Sequence, residues 1–384
     1  MKEDVRIVKQ EQRELPLTPP STLKKDSHSS GIVEYNALDI KPRRLFKELK
    51  KTARKPRLKY RPDPCTVFNI DDYFDGLNQN KVGVVENMDF LKYALTYSKK
   101  IVVITGAGIS VGAGIPDFRS SKGLFSSLKD KTLSSGKELF DYHRVYSSDE
   151  MSIKFNDMIK IIHTLSSNTV PTQFHEFINR LALDGRLQRL YTQNIDGLDT
   201  RLPHLSTKVP LGKPSPMTIQ LHGSIHHMEC NKCSHIKDFD PTIFKSNAED
   251  SSDTNIKSQI VPLCPQCEEF ESVRSVAGLR LKGVGKLRPR VVLYNEMHPE
   301  GDIIGEIANL DLKRKPDCLI IAGTSLNISG VKIMCRQFAE KVRSSKGFII
   351  YVNKEMPAKS VIDTIGHIDL IALGDCQNIP KLLS

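Results

Sequence analysis

An open α/β fold with a doubly wound parallel sheet is predicted by three observations. Short β-branched or aliphatic runs each end in glycine or small polar residues. Stretches with helical spacing separate those runs. One segment, 225–283, breaks this alternation and carries two C-x-x-C pairs, as an inserted metal-binding module does. In chain order, 73–100 has helical spacing, with Val84, Met88, Leu91 and Leu95 on one face. Ile101-Val102-Val103-Ile104 then reads as a strand buried on both faces that enters a glycine turn. Residues 151–165 and 174–183 are helical. Three more runs read as strands: 187–191 into Thr192-Gln193-Asn194, 318–321 into Gly323-Thr324-Ser325, and 347–352 into Asn353. The expected division is a disordered basic tail over 1–70, an α/β domain from 71–224 and 284–384 with a helical insert at about 122–170, and a zinc-binding module over 225–283. The polar stretch 246–258 reads as a flexible loop within that module.

Composition narrows the function classes. The chain has 384 residues, 39% of them hydrophobic, enough for a sizeable core. Its net charge is +11, but 41–61 alone holds eleven Lys or Arg against one acid, Glu48, so ten of those charges sit in one short segment. The remainder is nearly neutral, which argues against a broadly basic nucleic-acid-binding body. The basic run fits a nuclear import signal, a weak DNA contact or a merely solvated tail. Thr18-Pro19-Pro20 has the form of a proline-directed phosphorylation site and equally of an ordinary tail. No run approaches the roughly 20 apolar residues of a membrane helix, and the charged N-terminus lacks an apolar signal core, so neither membrane nor secretion is expected.

The loop Thr105-Gly106-Ala107-Gly108-Ile109-Ser110-Val111-Gly112-Ala113-Gly114 follows the first strand. Glycines there let backbone approach a pyrophosphate, and a following helix would offer free N–H groups and a positive dipole end. Val111 occupies the place of the third glycine in the ordinary dinucleotide fingerprint, and no acid closes a second strand about 20 residues on, so a hydride-transfer enzyme is disfavoured. Ile115-Pro116-Asp117-Phe118-Arg119-Ser120 then sets an acid, a ring and a guanidinium behind the loop. Phe118 is placed to cover a ribose and Arg119 to pair with phosphate. Thr192-Gln193-Asn194-Ile195-Asp196 puts hydrogen-bonding side chains at a strand's carboxyl end. His222, before Gly223, offers a base that titrates near neutrality, as general acid–base work needs. Cys230-Asn231-Lys232-Cys233 and Cys264-Pro265-Gln266-Cys267 have the spacing of a Cys₄ zinc site, with 30 residues between the pairs. Four thiolates leave no open position, so that zinc is structural.

In that order these motifs, with Val352-Asn353, resemble the sirtuin family over roughly 85–380. The resemblance implies a Rossmann-like domain and a smaller zinc domain, with NAD and acetyl-lysine meeting in the cleft between them. It implies that His222 is the general base on a ribose hydroxyl, with Asn194 and Asp196 orienting the nicotinamide end. Gly106, Ala107, Gly108, Ser110, Ile115, Pro116, Asp117, Phe118, Arg119, Gln193 and Ile195 would contact the dinucleotide. Gly323, Thr324, Ser325, Asn353, Lys354 and Glu355 would hold its adenosine half, with Cys376 near the adenine. Products would be free lysine, nicotinamide and O-acetyl-ADP-ribose. The family's substrate-clamping segment reads Val-x-Phe-Gly-Glu, whereas this chain has Val291-Val292-Leu293-Tyr294-Asn295-Glu296. The peptide is still expected to pair with this edge as an added strand. That departure, the long zinc span, Gly197-Leu198-Asp199 and the basic tail resemble fungal nuclear members that act on histones, notably a core lysine of histone H3, in chromatin silencing and genome maintenance. Acetylated histone and chromatin are the implied partners and the nucleus the implied location. Transfer of ADP-ribose, removal of longer acyl groups and an inactive zinc-ribbon module that binds nucleic acid are the alternatives.

Overall fold

Isoleucine and valine with no polar side chain until Thr105 make Ile101–Thr105 a strand that must be covered on both faces, and the rest of the architecture does that. The computed structural model describes residues 55–76, 81–116, 136–244 and 261–383. The expectations for Thr18, for most of the basic run, for Asp117, Phe118 and Arg119, for the loop at 246–258 and for the first part of the 122–170 insert lie outside the described residues.

The strands are β1 (Thr66–Asn69), β2 (Ile101–Thr105), β3 (Leu187–Thr192), β4 (Thr218–Gln220), β5 (Gly223–Cys230), β6 (Ile236–Asp238), β7 (Leu287–Val291), β8 (Cys318–Ala322), β9 (Phe348–Asn353) and β10 (Leu370–Leu373). The helices are α1 (Ile70–Phe74), α2 (Val82–Tyr97), α3 (Tyr142–Val145), α4 (Asp149–Ser167), α5 (Gln173–Leu183), α6 (Pro265–Val276), α7 (Gly301–Lys313), α8 (Ser329–Ser344), α9 (Lys359–Ile365) and α10 (Asn378–Lys381).

Seven strands form one parallel, Rossmann-like sheet in the order β1-β10-β9-β8-β2-β3-β4. Side chains alternate across a strand. Ile101 and Val103 therefore enter one core, with Phe90 and Leu91 of α2 and Phe174 and Ile178 of α5. Val102 and Ile104 enter the opposite core, with Ile307 of α7 and Val331, Phe338 and Val342 of α8. The order runs outward from β2 through β3 and β4 on one side and from β8 through β9 and β10 on the other. The β2–β8 boundary is thus a topological switch point, the place beside which ligands bind in open α/β sheets.

The expected strands at 101–104, 187–191, 318–321 and 347–352 are all present, as are the expected helices at 151–165 and 174–183. The stretch 73–100 resolves into the end of α1 and then α2. Strand β1 appears in a region where sequence periodicity shows no strand; it has four residues and pairs only with β10, with Val67 half exposed. Arg61, the last basic residue of 41–61, is not a free tail charge. It pairs with the buried Asp369 at 2.7 Å and donates to the Gly347 carbonyl at 2.7 Å.

A second, antiparallel sheet has the order β6-β5-β7. Its third strand lies beyond residue 283, where sequence composition ends the zinc-binding segment. Helix α4 packs on this sheet: Phe155, Met158, Ile159 and Ile162 share a core with Ile225, Met228, Phe244 and Leu293. Ser148 caps the helix by accepting from the Met151 N–H, with Asp149 and Glu150 favourably placed in the first turn.

Candidate active site

The glycine loop after β2 and the loop after β8 interlock at the switch point. Gly106 N–H donates to the Ala322 carbonyl at 3.1 Å and Gly108 N–H to the Gly323 carbonyl at 2.9 Å. A Cβ on Gly108 would stand 2.7 Å from Gly323 Cα, and one on Gly323, whose φ is +62°, would stand 2.6 Å from the Ile109 nitrogen. No side chain fits between two backbones this close. Among the described residues, which break off after Pro116, no helix follows the loop: two short 3₁₀ turns, Ala107–Ile109 and Val111–Ala113, lead to Gly114 at φ +83°. Gly112, Gly114 and Pro116 are poor helix formers, so the loop presents backbone without a sustained helix dipole. Gly108→Ala is expected to reduce NAD affinity by about tenfold or more, since the alanine methyl must push the two loops apart. Calorimetric titration with NAD checks this, and unchanged affinity would contradict it.

A cavity of about 940 Å³ opens beside this junction. His222 lies at its wall. The Nδ1 atom is 3.0 Å from the Gln193 carbonyl, which only accepts, so Nδ1 carries the ring proton and Nε2 is left as a free base. Burial holds the imidazole below its ordinary pKa, with the Gln193 carbonyl acting the other way, so the ring is neutral near pH 7. Gln193 also ties the strand ends together, its amide donating to the Thr105 carbonyl at 3.1 Å and the Thr324 hydroxyl at 2.9 Å.

Asn194 lines the cavity, and its Nδ2 donates to the Ser110 hydroxyl at 3.2 Å. Its Oδ1 is buried without a hydrogen-bond partner among the described residues, a vacancy that a donor on a ligand would fill. Asp196 is buried behind the wall, where its Oδ1 accepts the Leu198 N–H at 3.0 Å. Burial and the neighbouring Asp199 raise its pKa, while His175, the Leu198 N–H and the Ser110 hydroxyl oppose the rise. Asp199 is itself pushed up to about 7 by burial, and burial drives the adjoining His175 down to about 4. His175 did not stand out in the sequence, and Asp199 did so only as part of Gly197-Leu198-Asp199, because nothing in a motif reports that such groups will be fully buried.

Of the residues expected to hold the dinucleotide, Gly106, Ala107, Gly108, Gln193, Asn194, Ile195, Gly323, Thr324, Ser325, Asn353, Lys354, Glu355 and Cys376 line the cavity together with His222. Ser110 and Asp196 stand behind that lining, and Ile115 and Pro116 do not contribute to it. Lys354 pairs with Asp375 at 3.3 Å, and burial pushes the Cys376 thiol up to about 12, so it remains protonated.

The segment Val291–Glu296 forms the far wall. Val292 N–H donates to the His222 carbonyl at 3.0 Å, while Tyr294 exchanges backbone bonds with Phe140 and Tyr142 at 2.6 and 3.0 Å. Asn295 has φ +62° and donates to the Asp141 carboxylate at 2.6 Å. Asparagine tolerates this left-handed conformation better than most residues, which accounts for its standing where related segments carry glycine.

The four cysteines meet at the end of β5 and the start of α6. Their sulfurs lie within 4.8 Å of one another, with Cys230–Cys267 and Cys233–Cys264 separations of 3.7 Å. Ligands about 2.3 Å from a tetrahedral zinc stand about 3.8 Å apart, so the donors fit that ion. Burial otherwise drives the Cys264 thiol up to about 12, and a divalent cation is what lets four thiolates coexist.

The profile of the Sir2 family matches residues 106–330. The NAD-dependent histone deacetylase HST4 of Saccharomyces cerevisiae is 57% identical over 375 residues, spanning 96% of this chain and 98% of the relative. The NAD-dependent protein deacetylase hst4 of Schizosaccharomyces pombe is 47% identical over 298 residues, spanning 76% and 68%. Among solved structures, a Sir2 homolog–NAD complex superposes with a TM-score of 0.54 at 24% identity, covering 77% of this chain and 92% of that one, which supports the fold. With its glycine junction, histidine-walled cavity and four-cysteine site in the family's order, this chain belongs to the Sir2 family.

Proposed function

We propose that this protein is an NAD-dependent protein-lysine deacetylase that acts on acetylated histones. The observation that carries the reading is His222, whose Nδ1 is committed to the Gln193 carbonyl so that Nε2 is free at the wall of the cavity. The relatives named above, at up to 57% identity, include a histone deacetylase of nearly the same length. NAD fits the residues present: Gly106, Gly108 and Gly323 form a junction where Cβ atoms would collide, and the unpartnered Asn194 Oδ1 awaits a donor such as a carboxamide. When bound, NAD supplies a ribose carbon from which nicotinamide departs and to which the acetyl oxygen adds.

The chain's own residues then divide the work. The glycine junction, whose N–H groups are spent on holding the two loops together, lets the phosphates approach the backbone with no side chain between, beside Ala107. Thr324, Ser325, Asn353, Lys354 and Glu355 hold the adenosine half, with Cys376 closing that end. Asn194 and Asp196 orient the nicotinamide end, Ser110 accepts from the Asn194 amide behind it, and Gln193 lines the ribose. Asp117, Phe118 and Arg119, outside the described residues, are proposed as further dinucleotide contacts on the family resemblance alone. His222 Nε2 accepts a ribose hydroxyl proton, making that oxygen a better nucleophile. The acetylated peptide runs along 292–295 as an added strand, which requires the Tyr294 pairing with Phe140 and Tyr142 to open. The zinc site holds β5 and α6 together and takes no part in the chemistry. The basic run at 41–61 supports action in the nucleus at chromatin, and a core lysine of histone H3 is the proposed target.

The test is nicotinamide release from NAD in the presence of an acetylated histone H3 peptide. Release that needs the acetyl group and yields O-acetyl-ADP-ribose supports deacetylation. Release with the unacetylated peptide, and ADP-ribose found on protein, would refute it in favour of ADP-ribosyl transfer.

A further inference from the structure

The cavity carries a second histidine. His298 sits between β7 and α7 in Glu296-Met297-His298-Pro299-Glu300, and it lines the cavity with His222, Leu293 and Ile304. Its two ring nitrogens are distinguishable. The Nδ1 atom accepts the Glu300 backbone N–H at 2.9 Å. An accepting nitrogen bears no proton, so the neutral ring carries its hydrogen on Nε2. Burial holds the ring below its ordinary pKa; Glu300 and Glu296 oppose that shift, while Arg290 and His222 add to it. The ring is therefore neutral near pH 7.

The Nε2 atom is buried and has no hydrogen-bond partner among the described residues. The nearby carboxylates are already engaged. Glu296 pairs with Arg288 and accepts the Leu293 N–H, and Glu300 pairs with Arg290 and accepts the Leu211 N–H. A buried donor without a partner costs stability, a cost that an acceptor on a ligand would relieve. His298 cannot be a second base in this state, because its free nitrogen already holds the proton. It is the inverse of His222, which donates at Nδ1 and is open at Nε2. The two histidines that line this cavity thus hold opposite tautomers: His222 keeps Nε2 as an acceptor, and His298 keeps an unpartnered Nε2–H just beneath the lining.

We infer that His298 is a substrate-recognition residue whose Nε2–H donates to a carbonyl oxygen of the acylated peptide. This rests on the deacetylase reading above. The peptide is favoured over NAD because His298 is on the chain segment that continues from Val291–Glu296, the proposed peptide edge, whereas the NAD cradle is built from the loops after β2, β3, β8 and β9. Exposed Tyr294 and Met297 flank the same stretch.

The test compares wild type with His298→Leu and His298→Gln, using an acetylated histone H3 peptide and NAD. His298→Leu is expected to raise the peptide KM about tenfold, the effect of one lost hydrogen bond in a dry site, with kcat and the KM for NAD close to wild type. His298→Gln, which keeps a donor, recovers most of the loss. The leucine variant loses the unpaired Nε2–H but also the Nδ1 acceptor of the Glu300 N–H, so a modest fall in its melting temperature is expected and does not bear on the inference, which is read from the peptide KM and affinity. Peptide affinity measured by fluorescence polarisation with ADP-ribose present gives the same comparison without turnover. An unchanged peptide KM and affinity, an effect confined to NAD, or an equal loss of peptide affinity in both variants would each overturn the inference. A wild type that binds the acetylated peptide no better than the unacetylated one and shows no acetyl-dependent turnover sinks the deacetylase reading itself. An active wild type with a normal leucine variant sinks only the role of His298.

Discussion

His222→Tyr is expected to lower turnover by about a thousandfold or more, the upper part of what a positioned general base contributes. The cause is local. The imidazole is neutral, its proton is committed to the Gln193 carbonyl, and Nε2 is its one free acceptor. A phenol at this position stays protonated near neutrality and cannot take a ribose proton. The fold should persist, because the side chain lies at a cavity wall and belongs to none of the hydrophobic cores. Nicotinamide release and a melting curve on the same preparation check both halves. Normal turnover in the variant would end the assignment. The pH profile carries the same signature. Because burial lowers the His222 pKa, activity should be level through neutrality and decline only on acidification below about pH 6.5, the ordinary histidine value. A decline beginning above pH 7 would contradict a base held neutral by burial.

Cys264→Ser is expected to remove the metal and lower the melting temperature by about 10 °C or more, since zinc-binding energy is folding energy where no preformed site exists in the unfolded chain. Cys264 is fully buried, caps the start of α6 and sits 3.7 Å from the Cys233 sulfur. The small cluster around it, Cys230, Cys264, Cys267 and Leu287, has little apolar mass to hold β5, β7 and α6 together without an ion. Zinc content by atomic absorption should fall from about one per chain toward zero. Chelator treatment of the wild type should reproduce the loss and separate metal removal from the substitution itself. Full zinc content and an unchanged melting curve would contradict this.

Much of the site was legible because its chemistry is local in sequence. A strand that is apolar on both faces and runs into Gly106-Ala107-Gly108 can do little but end at a crevice, and the paired cysteines announce a tetrahedral site by spacing alone. Other features depend on what arrives from far away. The sequence reading expected a helix behind the glycine loop, and as far as Pro116 the structure has 3₁₀ turns because Gly112, Gly114 and Pro116 together outweigh the motif's usual continuation. His298 was one of eleven histidines, and no spacing rule separates it from the rest. Its interest comes from an unpartnered nitrogen, which exists only once Glu296 and Glu300 have found Arg288 and Arg290. Asn295 read as a departure from the family's glycine, but its φ of +62° shows the same backbone reached by another residue.

By itself the amino-acid sequence determined the α/β class, the apolar runs of β2 and β8, the glycine loop after β2, the candidate base His222 and the four clustered cysteines. Each of these follows from side-chain period, backbone permissiveness or ligand spacing over a few residues. Only the tertiary structure decided the strand order that puts the switch point between β2 and β8, and the sharing of one core by α4 and the three-stranded sheet. It also decided the burial of Asp196 and Asp199 behind the cavity wall and the tautomers of His222 and His298. Those depend on which distant groups become neighbours and on how much water they exclude, and neither is encoded in any short stretch of the chain.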